Sequence, residues 1–516
     1  MGKEDLEKVL GKLFLIGISG TSLNEENRMV LNSIKPGVII LFSRNIKDKF
    51  QIKKFIDDIK NFLDYEPLFC IDQEGGMVTR LNKGFSIAPS AMAISATSNV
   101  KNAYIVSNIL AKEMRSVGID FNLAPVVDIN SNPKNSVIGI RSFSDDESIV
   151  INYASEYVRG LHDGGVLSCL KHFPGIGSVD IDPHLDLPQS DLEKKYFLSK
   201  ELLPFLKIDS PVWMPTHVYL SNMQKKKEPV SLSKEILTDF ARNELNFQGV
   251  LVADDFEMGG VANFYSVEQA VIKSLTSGMD IVSICHSFEK QLKSKKAVLE
   301  LYKKDAKFRK IINTSLERIN NLFKLSNKLK EKSKENLCLD KVGNIESISL
   351  MQEIIDKSIT IFNSSGEKDF LPVKNINNIF YFIRENNSYN IEDVQKNIDF
   401  LSPEFNIQSN IINMNKKIHE EIKKEILEKS KEKNNLVFSE NAYLSKEMVD
   451  LISNMSFNSK LLILIALRNP YDVFIPNIKH GICTYGFNKN VLLSLSKILK
   501  GKIKPTGSLP IKPTEV

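Results

Sequence analysis

Eight short apolar runs, rich in β-branched residues and interleaved with helical segments, constrain this chain more than any other feature. They cover residues 13–17, 37–42, 67–72, 120–126, 167–173, 211–217, 249–255 and 279–285. Between them, Ile52, Phe55, Ile56, Ile59, Phe62 and Leu63 recur at the i, i+3, i+4, i+7 spacing and give one apolar stripe. A second helical segment, 100–117, ends at Gly118, and a third starts at Ser266 with Gln269 as its capping-box partner and stops at Gly278. Buried strands alternating with amphipathic helices argue for a parallel sheet with right-handed crossovers. Eight such units predict an α/β fold whose first part is a (β/α)8 TIM-type barrel.

The chain has 516 residues, too many for one core, so two domains are expected. From about residue 288 to 336 it turns lysine-rich and helical, with the charges on a solvated face. The boundary falls near 335–350, giving a barrel over 1–340 and a smaller C-terminal α/β layered domain, an αβα sandwich, over 341–516. In the second part, strand-like runs at 376–383, 435–438, 460–467 and 481–485 alternate with helical stretches such as 416–429. Only IALRNPYDV and the closing PTGSLPIKP stand out there.

The net charge of +5 is small for this length, and the lysines are not gathered into an aromatic-interleaved patch. No nucleic-acid partner is expected. Cys70, Cys169, Cys285, Cys338 and Cys483 are scattered, with neither a C-x-x-C pair nor a closely spaced histidine that would make a zinc site. They read as reduced thiols, and no metal site or cofactor is expected. The opening LFLIG run is too short for a signal peptide, and no window approaches a membrane span, so a cytoplasmic monomer or weak dimer without a membrane partner is expected.

In a (β/α)8 barrel the chemistry sits where strands end, because the βα loops meet on one face. Taken in order, the expected strand ends carry Arg44 and Asn45, Asp72, Asp128, Lys171 with His172, His217, and Asp254 with Asp255. Polar or titratable groups therefore end nearly every strand. The densest stretch is 171–188, KHFPGIGSVDIDPHLDLP, in which Pro174, Gly175, Gly177 and Pro183 forbid a regular helix. Its Asp182 and His184, spaced D-x-H, are close enough for the carboxylate to orient the imidazole, which then serves as proton donor and acceptor. The run GVLVADD delivers Asp254 rigidly at a strand end. A carboxylate nucleophile and a separate proton donor are the ingredients of retaining glycoside hydrolysis.

At this point the motifs resemble glycoside hydrolase family 3, in its β-N-acetylglucosaminidase (β-hexosaminidase) branch of two-domain type. The resemblance covers nearly the whole chain, in order: GVIILFSRN, FCIDQEGGMVTRL, NLAPVVDINSNP, VIGIRSF, KHFPGIG with its DPH, MPTH and GVLVADDFEM. It implies that Asp254 is the nucleophile and that Asp182 and His184 form the acid/base dyad. It further implies that Asp72, Arg80, Arg141, Lys171 and His172 hold the hydroxyls and acetamido group of the sugar, work for which carboxylates and charge-assisted donors are suited. His217 matches a family histidine whose role stays open.

Three positions depart from the family pattern: Ile176 replaces the second histidine of K-H-F-P-G-H-G, Met77 replaces an arginine, and Ala253 lacks the hydroxyl before the nucleophile. The expected substrate is a small carbohydrate, with N-acetylglucosamine at the non-reducing end of muropeptide fragments or chitin-type oligosaccharides. Two alternatives stand beside hydrolysis: phosphorolysis by the same dyad, since a histidine does not repel phosphate as a carboxylate would, and a catalytically weakened sugar-binding homologue. The segment 173–181 is expected to be a flexible spacer behind the histidine.

Overall fold

The computed structural model describes residues 3–135, 137–179, 185–333, 337–364, 370–373, 375–383, 409–415 and 418–513. All eight apolar runs form strands: β1 (Phe14–Gly17), β2 (Val38–Leu41), β3 (Leu68–Ile71), β4 (Phe121–Asn122), β5 (Leu170–Phe173), β6 (Val212–Pro215), β7 (Val250–Asp255) and β8 (Ile281–Ile284). They lie in the order β4-β3-β2-β1-β8-β7-β6-β5, every ladder parallel. Parallel bridges from Phe121 to Leu167 and from Val126 to Lys171 join the two outer strands and close the ring. The result is the (β/α)8 barrel. Regular pairing in β4 is far shorter than its apolar run because Pro125 has no N–H to give to a ladder; pairing resumes at Val126.

The expected helices form, with ends fixed by local chemistry. Lys49–Phe62 starts at Asp48, whose carboxylate accepts the Phe50 and Gln51 amides, and buries Ile52, Phe55, Ile56 and Ile59. Lys101–Val117 ends on Gly118 in the left-handed region. Val267–Thr276 carries the expected Ser266–Gln269 capping box. The lysine-rich stretch is two helices, Phe288–Lys304 and Ala306–Lys332, because Asp305 caps the second one. No described helix is long and apolar enough to cross a membrane.

The second sheet has six strands: β9 (Thr360–Asn363), β10 (Asn378–Ile383), β11 (Ser409–Asn413), β12 (Asn434–Ser439), β13 (Leu461–Ala466) and β14 (His480–Cys483), in the order β9-β14-β13-β12-β10-β11. Only β9 runs antiparallel. Separate apolar clusters cover its two faces. The four apolar runs read from sequence are β10, β12, β13 and β14. The two missed strands are the edges of the sheet, each laddered to one strand among the described residues, and their sequence need not be apolar. The helical stretch at 416–429 appears as Glu420–Ser430, residues 416 and 417 lying outside the described set.

Candidate active site

The strand ends converge on a cleft of ≈ 300 Å³ lined by, among others, Asp72, Arg80, Arg141, Lys171, His172 and Asp254. Six of the eight site residues read from sequence therefore meet in one place. The other two, Asp182 and His184, lie outside the described residues.

The floor of the cleft is a charge cluster built from three strand ends. Lys171 Nζ lies 2.8 Å from Asp72 Oδ1 and 2.6 Å from Glu74 Oε1. Arg141 meets Glu74 with two parallel bonds of 2.9 Å, the bidentate geometry that a guanidinium fork favours. Burial alone would raise the Glu74 carboxyl, but Arg141 and Lys171 overcome it and hold the group well below the usual carboxylate range. Burial would likewise lower Lys171, and Asp72 and Glu74 instead raise it. Glu74, Arg141 and Lys171 are therefore charged at neutral pH.

Glu74 reaches this position because the chain after β3 makes a tight turn. Gly75 sits at φ +99°, and a Cβ there would strike the Pro89 carbonyl. Gln73 braces the turn by accepting the Arg80 and Leu81 amides at 2.8 and 3.0 Å. Arg80 itself has no ion-pair partner among the described residues, and its Nε is buried without a hydrogen bond.

His172 Nδ1 lies 2.6 Å from Asp128 Oδ2, and its Nε2 lies 3.4 Å from Arg141 Nη2. An arginine only donates, so Nε2 is the accepting nitrogen and Nδ1 carries the proton donated to Asp128. Asp128 also accepts the backbone amides of His172 and Ile176. The segment expected to be a spacer is thus anchored through residue 179. Asn135 Nδ2 donates to the Ile176 carbonyl at 2.6 Å, Ile176 packs into the barrel core, and a Cβ on Gly177 would collide with the Ile129 carbonyl. The departure at Ile176 trades a polar side chain for core packing while its backbone does the anchoring.

Asp254, the penultimate residue of β7, is half-buried. Its Oδ1 accepts the Asp255 amide at 2.9 Å, and Thr216 Oγ1, from the loop after β6, donates to Oδ2 at 3.3 Å. Thr216 thus brings a hydroxyl beside this carboxylate, although Ala253 brings none. Met77 lines the cleft with its side chain, as does Ala253. His217 is buried beyond the lining, its ring nitrogens 2.8 Å from Ser231 Oγ and 3.0 Å from the Asp255 carbonyl.

Three further groups were not singled out from sequence as site residues. Burial, reinforced by the charges of Glu257 and Asp254, raises the Asp255 carboxyl to about 7 despite amide bonds from Glu257 and Cys285. At the cleft rim His286 Nε2 stands 3.4 Å from Asp255 Oδ2, and Arg44 Nη1 reaches its Nδ1 at 3.1 Å. Beneath the 173–179 segment, burial raises Glu201 to about 8; Ser131 Oγ donates to its Oε1 at 3.0 Å, Asp128 opposes its ionisation, and its Oε2 has no hydrogen-bond partner among the described residues. Among the described residues no group of three His, Cys, Asp or Glu is arranged to hold a metal ion.

A barrel whose strand ends gather an ion-paired cluster and a strand-end carboxylate in one cleft has the layout of an enzyme active site, and the sequence comparison gives its class. Residues 5–322 match the model of the glycosyl hydrolase family 3 N terminal domain, and the chain belongs to that family; it is a glycoside hydrolase. A β-hexosaminidase of Haemophilus influenzae is 35% identical over 283 residues, 53% of this chain and 80% of that protein. A glycoside hydrolase family 3 β-N-acetylglucosaminidase from Paenibacillus sp. str. FPU-7 superposes with a TM-score of 0.85 at 28% identity, covering 99% of both chains. A β-glucoside phosphorylase shares the fold, with a TM-score of 0.77 at 18% identity over 99% of this chain and 94% of its own.

Proposed function

We propose that the protein is a retaining exo-β-N-acetylglucosaminidase that removes terminal N-acetylglucosamine from muropeptide or chitin-type oligosaccharides. Asp254 attacks the anomeric carbon and forms the glycosyl-enzyme intermediate. His184, oriented by Asp182, protonates the leaving oxygen and then deprotonates the incoming water. Asp72, Arg80, Arg141, Lys171 and His172 bind the hydroxyls and acetamido group. The observation that carries this reading is the convergence of Asp254, the Lys171 and Arg141 cluster and Arg80, which has no ion-pair partner among the described residues, in one small cleft. Its volume sits at the lower end of the range of about 300–1,000 Å³ found for ligand pockets, a size for one terminal sugar rather than a long chain. The names of the similar proteins supply the N-acetyl specificity of the proposal.

The domain division proposed is 1–340 and 341–516, and the compartment proposed is the cytoplasm, for which five free thiols, four of them buried, are suited. A panel of aryl β-glycosides and a muropeptide, assayed with and without phosphate, tests the reading. Release of free N-acetylglucosamine at a rate independent of phosphate is expected. Formation of the sugar 1-phosphate would replace hydrolysis by phosphorolysis, and tight sugar binding without turnover would make the chain a binding protein.

A further inference from the structure

The second domain's two outstanding motifs, IALRNPYDV and PTGSLPIKP, have no place in the chemistry above. Both of them touch the barrel, and at one place. The loop after β4, residues 130–145, carries Arg141 on a short turn, Gly139–Arg141. Gly139 is left-handed at φ +43°, and the Asn469 side-chain amide fills the space where any other residue would carry a Cβ. Asn469 Nδ2 donates at 3.1 Å to the Tyr443 hydroxyl, which itself donates to the Pro133 carbonyl at 2.6 Å. Asn130 Nδ2 donates to the Tyr471 hydroxyl at 2.9 Å. Ile140 is buried in an apolar cluster with Tyr443, Tyr471 and Tyr485. On the far side of Arg141, Ser144 Oγ donates to the Pro510 carbonyl at 2.5 Å, and the Lys512 amide donates to Asp145 Oδ2 at 2.8 Å.

The turn is therefore gripped on both flanks by the second domain, and its product is the bidentate Arg141–Glu74 pair in the cleft floor. A guanidinium fork matches a carboxylate only in a narrow range of orientations, so a backbone shift of a fraction of an ångström at residue 139 is felt at Glu74 and through it at Lys171.

We infer that the second domain is part of the sugar-recognition apparatus, with Asn469 and Tyr443 acting as positioning residues that fix Arg141 through the Gly139 turn. This rests on the reading of the cleft as a sugar site. It explains why a domain with no described residue in the cleft lining presses two of its loops against the barrel. It also explains why Gly139 lacks a side chain: the space belongs to Asn469.

Asn469→Ala and Tyr443→Phe in the full chain test it, the second being isosteric and leaving the fold intact. Tyr485→Phe is the control, because Tyr485 lies in the same apolar cluster but donates within its own domain, to Thr360 Oγ1 at 2.8 Å. With an aryl N-acetylglucosaminide, both test variants should raise KM, and the inhibition constant of free N-acetylglucosamine, by about tenfold, with kcat within about twofold, and Tyr485→Phe should change neither. Hydrogen exchange of the 137–144 amides, read without sugar, should quicken in the two test variants alone. Provided the wild type turns over, unchanged exchange or unchanged KM in both test variants would overturn the inference. So would an equal KM rise in Tyr485→Phe. A wild type that ignores N-acetylglucosamine would sink the proposed function instead, while the exchange data would still decide whether the turn is held.

Discussion

The two ends of the barrel use the same residue types in opposite ways. At the N-terminal end, Asp280 is completely buried and saturated: Arg242 at 2.5 Å and Arg318 at 3.1 Å take its two oxygens, and the Leu251 amide adds a bond of 2.9 Å. Asp120 is held in the same manner by Arg115, by Lys330 at 3.1 Å and by the Phe69 amide at 3.2 Å. At the C-terminal end the cluster opens onto a cleft, Arg80 has no described counter-ion, and Asp255 and Glu201 carry raised carboxyl groups. The networks at the N-terminal end lie under no cleft and serve stability, even though Arg115 Nε and Arg242 Nε within them make no hydrogen bond among the described residues. Open ones retain unsatisfied capacity, which is the physical mark of a site.

Breaking each end separately should therefore give different losses. Asp280→Asn removes the charge that the buried Arg242 and the half-buried Arg318 share, and we expect a cost of about 3–5 kcal/mol in urea unfolding with KM unchanged. Lys171→Met should do the reverse: Arg141 still pairs the buried Glu74 and the half-buried Asp72 faces the cleft, so kcat/KM should fall by about 10²–10³-fold while stability falls by only about 1 kcal/mol. A larger loss of stability than of activity in that variant would break the comparison.

Glu201 sharpens it through pH. Its carboxyl is raised from 4.5 to about 8, so its contribution to stability is whole below pH 4.5 and is lost as the pH rises through about 8. Glu201→Gln cannot ionise. It should match the wild type at pH 4, gain about 1.4 kcal/mol of relative stability for each pH unit above 4.5, and level off beyond pH 8. Chemical unfolding at pH 4, 6 and 9 reads this directly, and a constant difference across that range would mean that Glu201 does not change its charge.

Much of this was legible because barrels couple strand and site. An apolar run announces a strand, the residue after it lies at the mouth, and Asp72, Lys171, His172 and Asp254 follow from that rule alone. Arg80 and Arg141 lie in loops, and only the family resemblance pointed to them. Glu74 was missed although it stands two residues past Asp72, since nothing local says that two glycines will turn it inward toward Arg141 and Lys171. Glu201 and His286 gave no signal at all: their environments come from segments remote in the chain. The edge strands β9 and β11 escaped for a related reason, because a strand at a sheet edge need not look apolar.

The account rests on Asp254. Asp254→Asn keeps the shape and can still accept the Asp255 amide, so its melting temperature should match the wild type while turnover of an aryl β-N-acetylglucosaminide falls by roughly 10³-fold or more. Undiminished turnover in the folded variant would contradict the central claim.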